Sequence, residues 1–300
     1  MKFRSTMLSR MTIAGAGLLL ACAGGMANAG TAMEKQIIQA PMPHNEFGGG
    51  PKIKVHYMRL HMGEESDRMR EQSRGMVKSL QNMVDMCVKM RRLQKASVNP
   101  PRQLPDYAEG YMQDTYTTAN REITYTRIYR AELNDDCSLK ERDDYTAVLS
   151  SQAGKCEIDL TERKAEGECD AAVHARSPVV PRAPGAVTIQ QQIAALKANP
   201  RTAAVAAQVE RMAGSSGPTG RTKVIAGVKC EEANGGKPGD LTCRALGGSF
   251  RPYTELFVET NEGGYPVAKA REARFDAMVG ADVFAPHQRG GFRINPRSDE

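Results

Sequence analysis

Cys230 and Cys243, with twelve residues between them, bracket the segment that most restricts what this chain can become. From Thr222 to Phe250 the residues read as two antiparallel strands joined by a disulfide. The connecting loop, Ala233 to Asp240, holds three glycines that permit positive φ and a proline, Pro238, that fixes its own φ. Its flanks are β-branched and apolar, as strands tend to be. Facing residues of an antiparallel pair bring their Cα atoms to ~4.5–5.5 Å, within reach of a disulfide. The same spacing recurs at Cys156 and Cys169. Both pairs open on Lys-Cys-Glu, and both follow an Ala-Gly, at Ala153-Gly154 and Ala226-Gly227.

Covalent bridges of this kind need an oxidising compartment, and the amino terminus supplies a route to one. Lys2, Arg4 and Arg10 precede an apolar run from Met11 to Ala23, and Ala27-Asn28-Ala29 forms a small-x-small cleavage site. The run is shorter than the ~20 residues a membrane span requires. The expectation is a secretory signal over residues 1–29, a periplasmic or secreted protein, and no transmembrane span in the mature chain. A competing reading uses Leu19-Leu20-Ala21-Cys22, which resembles a lipobox; Cys22 would then carry the lipid of a membrane-anchored lipoprotein. Either cleavage leaves six cysteines. Pairing Cys156 with Cys169 and Cys230 with Cys243 leaves Cys87 for Cys137. With no Cys-x-x-Cys, the chain lacks the thioredoxin-like redox signature, the haem-attachment signature and closely paired zinc thiolates.

Charge narrows the partners. The whole chain carries +6, and removal of Lys2, Arg4 and Arg10 leaves +3. That is too mild for nucleic acid, and no basic stripe is interleaved with aromatics. Aromatic residues are 5% of the chain and tryptophan is absent, which argues against an aromatic carbohydrate-binding groove.

Periodicity sets the elements. Lys52 to Leu60 alternates, with Ile53, Val55 and Tyr57 on one face, and Arg121 to Leu133 alternates still more cleanly. Tyr145–Ser150, Cys156–Leu160 and Glu168–His174 continue as expected strands, and 99–118 reads as a Pro- and Tyr-rich loop. Glu255–Thr260 and Tyr265–Ala277 form a further hairpin about Asn261 to Gly264. Ser66 to about Lys95 is the longest expected helix, with a methionine at every seventh position from Met62 to Met90. Such a stripe is expected to pack on a sheet, flexible methionine filling its gaps.

Together these predict an α+β protein: antiparallel sheet built from hairpins, packed by one long Met-rich helix and a shorter helical pair, and held by disulfides. After the signal, residues 30–50 read as a flexible segment and 51–176 as an α+β domain with the long helix. Residues 177–187 read as a Pro-rich linker, 188–285 as the helical pair plus hairpin region, and 286–300 as a flexible tail.

No catalytic motif is present. Gly247-Gly248-Ser249 lacks the Gly-x-Ser-x-Gly elbow, and there is neither a phosphate loop nor a His-Glu-x-x-His helix. The expectation is a non-enzymatic cell-envelope protein that binds an apolar ligand, a lipid or an envelope partner. Two alternatives use particular residues. His56, Met58, His61 and Met62 combine imidazole and thioether, a donor set suited to copper in a periplasmic binding protein. A hydrolase triad dispersed in sequence is the other.

Overall fold

In a computed structural model the chain is described at residues 39–62, 67–105, 109–179, 216–235 and 239–295, at residue 237, and at short pieces between 194 and 206. The expected signal segment with Cys22, residues 180–187 of the expected linker and most of the expected helical pair lie outside the described residues.

Among the described residues a single sheet of twelve strands organises the molecule. Its first part comprises β1 (Lys52–Met62), β2 (Glu109–Thr117), β3 (Arg121–Leu133), β4 (Leu139–Ser151), β5 (Gly154–Asp159) and β6 (Lys164–Gly167). Its second comprises β7 (Ser216–Ile225), β8 (Val228–Gly235), β9 (Leu241–Ala245), β10 (Phe257–Glu262) and β11 (Tyr265–Gly280). A short β12 (Arg293–Asn295) closes the list. The spatial order is β12-β6-β5-β4-β3-β2-β1-β11-β10-β9-β8-β7. Every pairing is antiparallel except β12 with β6. Two five-strand meanders therefore meet at β1, which pairs with β2 on one side and β11 on the other.

That position explains why β1 is buried on both faces from Val55 to Arg59. Val55 and Tyr57 join an aromatic core with Tyr116, Ile123, Tyr125, Leu149, Ile158 and Phe284. Met58 points the other way, into a smaller core of Ile225, Cys230, Cys243, Leu256, Val258 and Ala270. Residue-by-residue alternation along one strand thus feeds two cores.

Among the described residues the sheet is accompanied by α1 (Pro43–Phe47), α2 (Asp67–Leu93) and α3 (Ala171–Arg176), with short helical pieces between 194 and 206. All three expected disulfides form, Cys87–Cys137, Cys156–Cys169 and Cys230–Cys243. The bridge between β8 and β9 is diagonal, because Cys230 faces Ala245 while Cys243 faces Glu232.

Several local expectations change. The segment before Cys230 is not one strand. Ala226 and Gly227 both take positive φ, 50° and 78°, and turn the chain tightly between β7 and β8. Residues 109–117, expected in a loop, form β2, whose inward positions are Met112, Asp114 and Tyr116. The carboxylate at an inward position is what breaks the apolar alternation. Residues 168–174 leave the sheet and enter α3, whose first turn is capped by Asp170 accepting from the Ala172 N–H at 2.8 Å. The expected flexible start instead lays Phe47 on Tyr125, rings 5.8 Å apart and nearly parallel. The expected tail tucks His287 inside the protein, with Pro286.

Candidate functional site

The long helix departs most from its expected role. Counting 100° per residue, its apolar arc is much wider than one packing contact needs. Leu80 and Val84 occupy the inner part and are 2% and 3% exposed. The methionines lie on the outer part: Met83, Met86 and Met90 are 45%, 62% and 55% exposed, and Leu93 still more. The stripe that should have packed on a sheet is turned outward. The Cys87–Cys137 bridge sets which side of the helix meets the β3–β4 turn.

What fixes α2 is its last third. Cys87 bonds Cys137, which sits at positive φ in the β3–β4 turn. Arg91 Nε donates to the Asp135 carbonyl at 2.5 Å, and the Asn99 N–H donates to the Asp136 carbonyl at 2.7 Å. A groove of about 570 Å³ opens between helix and turn, with Met83, Met86 and Met90 on one side and Leu133, Asn134 and Asp135 on the other. Among the helix residues whose exposure is described, from Arg74 onward, the exposed charges are mainly basic: Arg74, Lys78, Lys89 and Arg92, against Asp85.

The residues named for copper are not gathered together. His56 and Met58 share a face of β1, both buried, whereas alternation puts His61 on the opposite face. The side chain of Met62 lies outside the described residues. Both ring nitrogens of His56 are engaged: Nδ1 accepts from the Asp276 N–H at 3.3 Å, and Nε2 faces the Phe250 carbonyl at 2.8 Å, so Nε2 carries the proton. The ring stacks on Phe250 with centroids 3.9 Å apart. Gly248, at φ +87°, lies so close that a Cβ there would meet His56 Cε1 at 2.3 Å. Copper at His56 would have to displace one of these bonds.

Serine, histidine and aspartate do converge here, in a way sequence reading missed because the partners lie 27 and 220 residues apart. Ser249 Oγ donates to Asp276 Oδ1 at 2.5 Å, its N–H donates to Oδ2 at 2.9 Å, and Lys54 Nζ donates to Oγ at 3.1 Å. These bonds hold the Asp276 carboxyl below its usual range, led by the Ser249 hydroxyl. The hydroxyl proton goes to the carboxylate and His56 serves backbone groups, so the set is wired as a loop anchor rather than as a nucleophile with its base. Ser249 was visible beforehand only as the end of a Gly-Gly-Ser run.

A second serine–histidine contact is sealed. Ser151 Oγ lies 2.7 Å from His174 Nδ1, and His174 Nε2 faces the Glu168 carbonyl at 2.7 Å. His174 is fully buried and Ser151 nearly so. His287 Nε2 reaches the next carbonyl, that of Cys169, at 2.7 Å. Two histidines thereby clamp the chain beside the Cys156–Cys169 bridge.

Among the described residues no cluster of three or more His, Cys, Asp and Glu side chains is arranged to hold a metal ion, and no helix is long and apolar enough to cross a membrane. No protein-family model, curated protein or solved structure matches this chain.

Proposed function

We propose that this is an exported, non-enzymatic cell-envelope protein that docks on an anionic lipid surface through the outer face of α2. The carrying observation is the exposed row of Met83, Met86, Met90 and Leu93 beside a polar arc rich in lysine and arginine. Methionine adapts to irregular apolar surfaces, and an amphipathic helix with basic flanks binds best where lipid headgroups are negative. The disulfide at Cys87 and the Arg91 bond hold the helix firmly against the β3–β4 turn, so the apolar row is presented rather than folded away. The groove beside Leu133 offers room for an acyl chain at the same face.

The test is vesicle flotation of protein carrying Cys22→Ser, so that no acyl anchor contributes. Binding is expected to vesicles containing phosphatidylglycerol and not to pure phosphatidylcholine. Met86→Glu/Met90→Glu should abolish it, and Lys89→Glu/Arg92→Glu should weaken it by at least about thirtyfold, each basic residue being worth roughly 1 kcal/mol at an anionic surface. Absence of binding to either vesicle, with self-association of the protein instead, would replace lipid by a second copy as the occupant.

A further inference from the structure

A second opening lies on the opposite face of β1 from the smaller core. It has a volume of about 490 Å³ and is lined by His44, Arg274, Phe275, Ala277, Met278 and Val279. Its position is set by α1, which carries His44, by β1, which adds Tyr57, and by β11, which carries the rest.

The proton on His44 can be placed. Its backbone N–H donates to the Tyr116 hydroxyl oxygen at 3.4 Å, while Nδ1 lies 2.8 Å from the same oxygen. Tyr116 is fully buried, and among the described residues Nδ1 is the only acceptor for its hydroxyl hydrogen. Nδ1 therefore accepts, and the ring proton sits on Nε2, which has no partner among the described residues. Burial first and the nearby Arg274 charge second push the His44 pKa down, so the ring stays neutral in this role.

Arg274 supplies the charge. It faces Tyr57 across the β1–β11 pair, and the register slips on both sides of it, between Val55 and Tyr57 and between Arg59 and Leu60. Paired bulges re-aim the side chains between them. The guanidinium pairs with Glu272 at 2.5 Å, which uses part of its five-donor fork. Its side chain is 62% exposed. Beyond it the apolar wall is made by Ala277 and Val279, with the Tyr57 ring beside them.

We infer that this opening binds an amphiphilic monocarboxylate, its carboxylate on Arg274 and the His44 Nε2–H, its hydrocarbon tail along Ala277 and Val279, which share one face of β11. Planar bidentate recognition of carboxylate is what a guanidinium does best, and an apolar cavity with few polar groups orients a ligand end to end. The site is remote in sequence from α2 and stands or falls independently of lipid docking there.

Octanoate, octan-1-ol and acetate are the probes, titrated calorimetrically into the full chain. Octanoate is expected to bind saturably, with acetate and octan-1-ol weaker because each lacks one half of the recognition. Arg274→Gln should weaken octanoate about tenfold and leave octan-1-ol unchanged, one charge-assisted hydrogen bond being worth about that much. Ala277→Glu, at a half-buried position on the tail wall, should weaken octanoate and octan-1-ol alike. In parallel, the His44 Nε2–H resonance should shift on adding octanoate and not on adding octan-1-ol. Failure of octanoate to bind, or equal octanoate affinity in the parent and both variants, would overturn the assignment.

Discussion

The two meanders that meet at β1 are stabilised differently. In β2–β6 the core is aromatic: Tyr57, Tyr116, Tyr125 and Tyr145 pack edge-on or tilted at ring distances of 4.9–6.1 Å. Large rings bury much area per residue, so this half holds together through packing, and its Cys156–Cys169 bridge lies towards the β6 end of that core. In β7–β11 the core is aliphatic and small, with the Cys230–Cys243 bridge inside it. Ion pairs supplement it. Glu232, 7% exposed at its side chain, is held by Arg221 and by Lys223, which also reaches Glu259. Both bridges lie within their cores, but the one in the smaller core is surrounded by fewer and mainly aliphatic side chains. The segment after β9 ties the halves together: the Tyr253 N–H donates to the Thr118 carbonyl at 2.8 Å, and the Thr254 hydroxyl donates to Glu122.

The largest effect should come from the polar centre of the aromatic half. Asp114 accepts from Arg59 at 2.8 Å through both oxygens and from the Tyr57 hydroxyl at 2.5 Å, in nearly complete burial. Asp114→Ala would leave Arg59 buried and unpaired, at a cost of about 3–5 kcal/mol measured by chemical denaturation. A loss under 1 kcal/mol would show that packing alone carries this half.

Next comes the small core. Cys230→Ser/Cys243→Ser should cost about 3 kcal/mol in the chain-entropy model, and hydrogen exchange should show β7–β10 opening before β2–β5. Cys156→Ser/Cys169→Ser opens a loop of the same length, with sequence separation 13 in both cases. It should therefore cost a similar amount globally without exposing β2–β4 early. Equal early opening in both variants would erase the distinction between the halves.

The smallest effect is a pair of opposed pH dependences. Burial raises Glu122 from 4.5 to about 7. The folded state therefore holds that proton when the unfolded chain has lost it, and the contribution is present at low pH and lost as pH climbs from about 4.5 to 7. Burial lowers His287 from 6.5. Its contribution is complete above 6.5 and lost as pH falls below it. Thermal melts should show Glu122→Gln gaining roughly 1–2 kcal/mol over the parent at pH 8 and little at pH 4. His287→Gln should flatten the acid limb. Because Glu122 receives Thr254 from the other half, exchange protection of residues 250–256 should track the first titration and not the second.

Part of this was legible in the residues themselves. The Met58 side of β1 could not be assigned to a second core from β1 alone, because an apolar residue on either face of a strand looks the same. Ile53, Val55 and Tyr57 did announce the strand, since alternation is a local property. Asp114 concealed β2, because the chain cannot reveal that Arg59, 55 residues away, will neutralise an inward carboxylate. The Ala226–Gly227 turn was masked by β-branched neighbours on both sides, which read as one continuous strand. For the candidate site, a methionine at every seventh position identified the helix stripe, but its direction was hidden.

The amino-acid sequence by itself determined the covalent frame: six thiols, two equal spacings, and the third pair by elimination, matching the bridges in the structure. It also determined β3, β10, β11 and the body of α2, whose signals lie within a few residues of one another. Only the tertiary structure decided that β1 would join two meanders, that Ser249, Asp276 and His56 would form an anchor, and that the methionines of α2 would face outward. Periodicity states which residues share a face. Which face is covered depends on contacts between residues far apart in the chain, and those contacts exist only once the sheet has closed around β1.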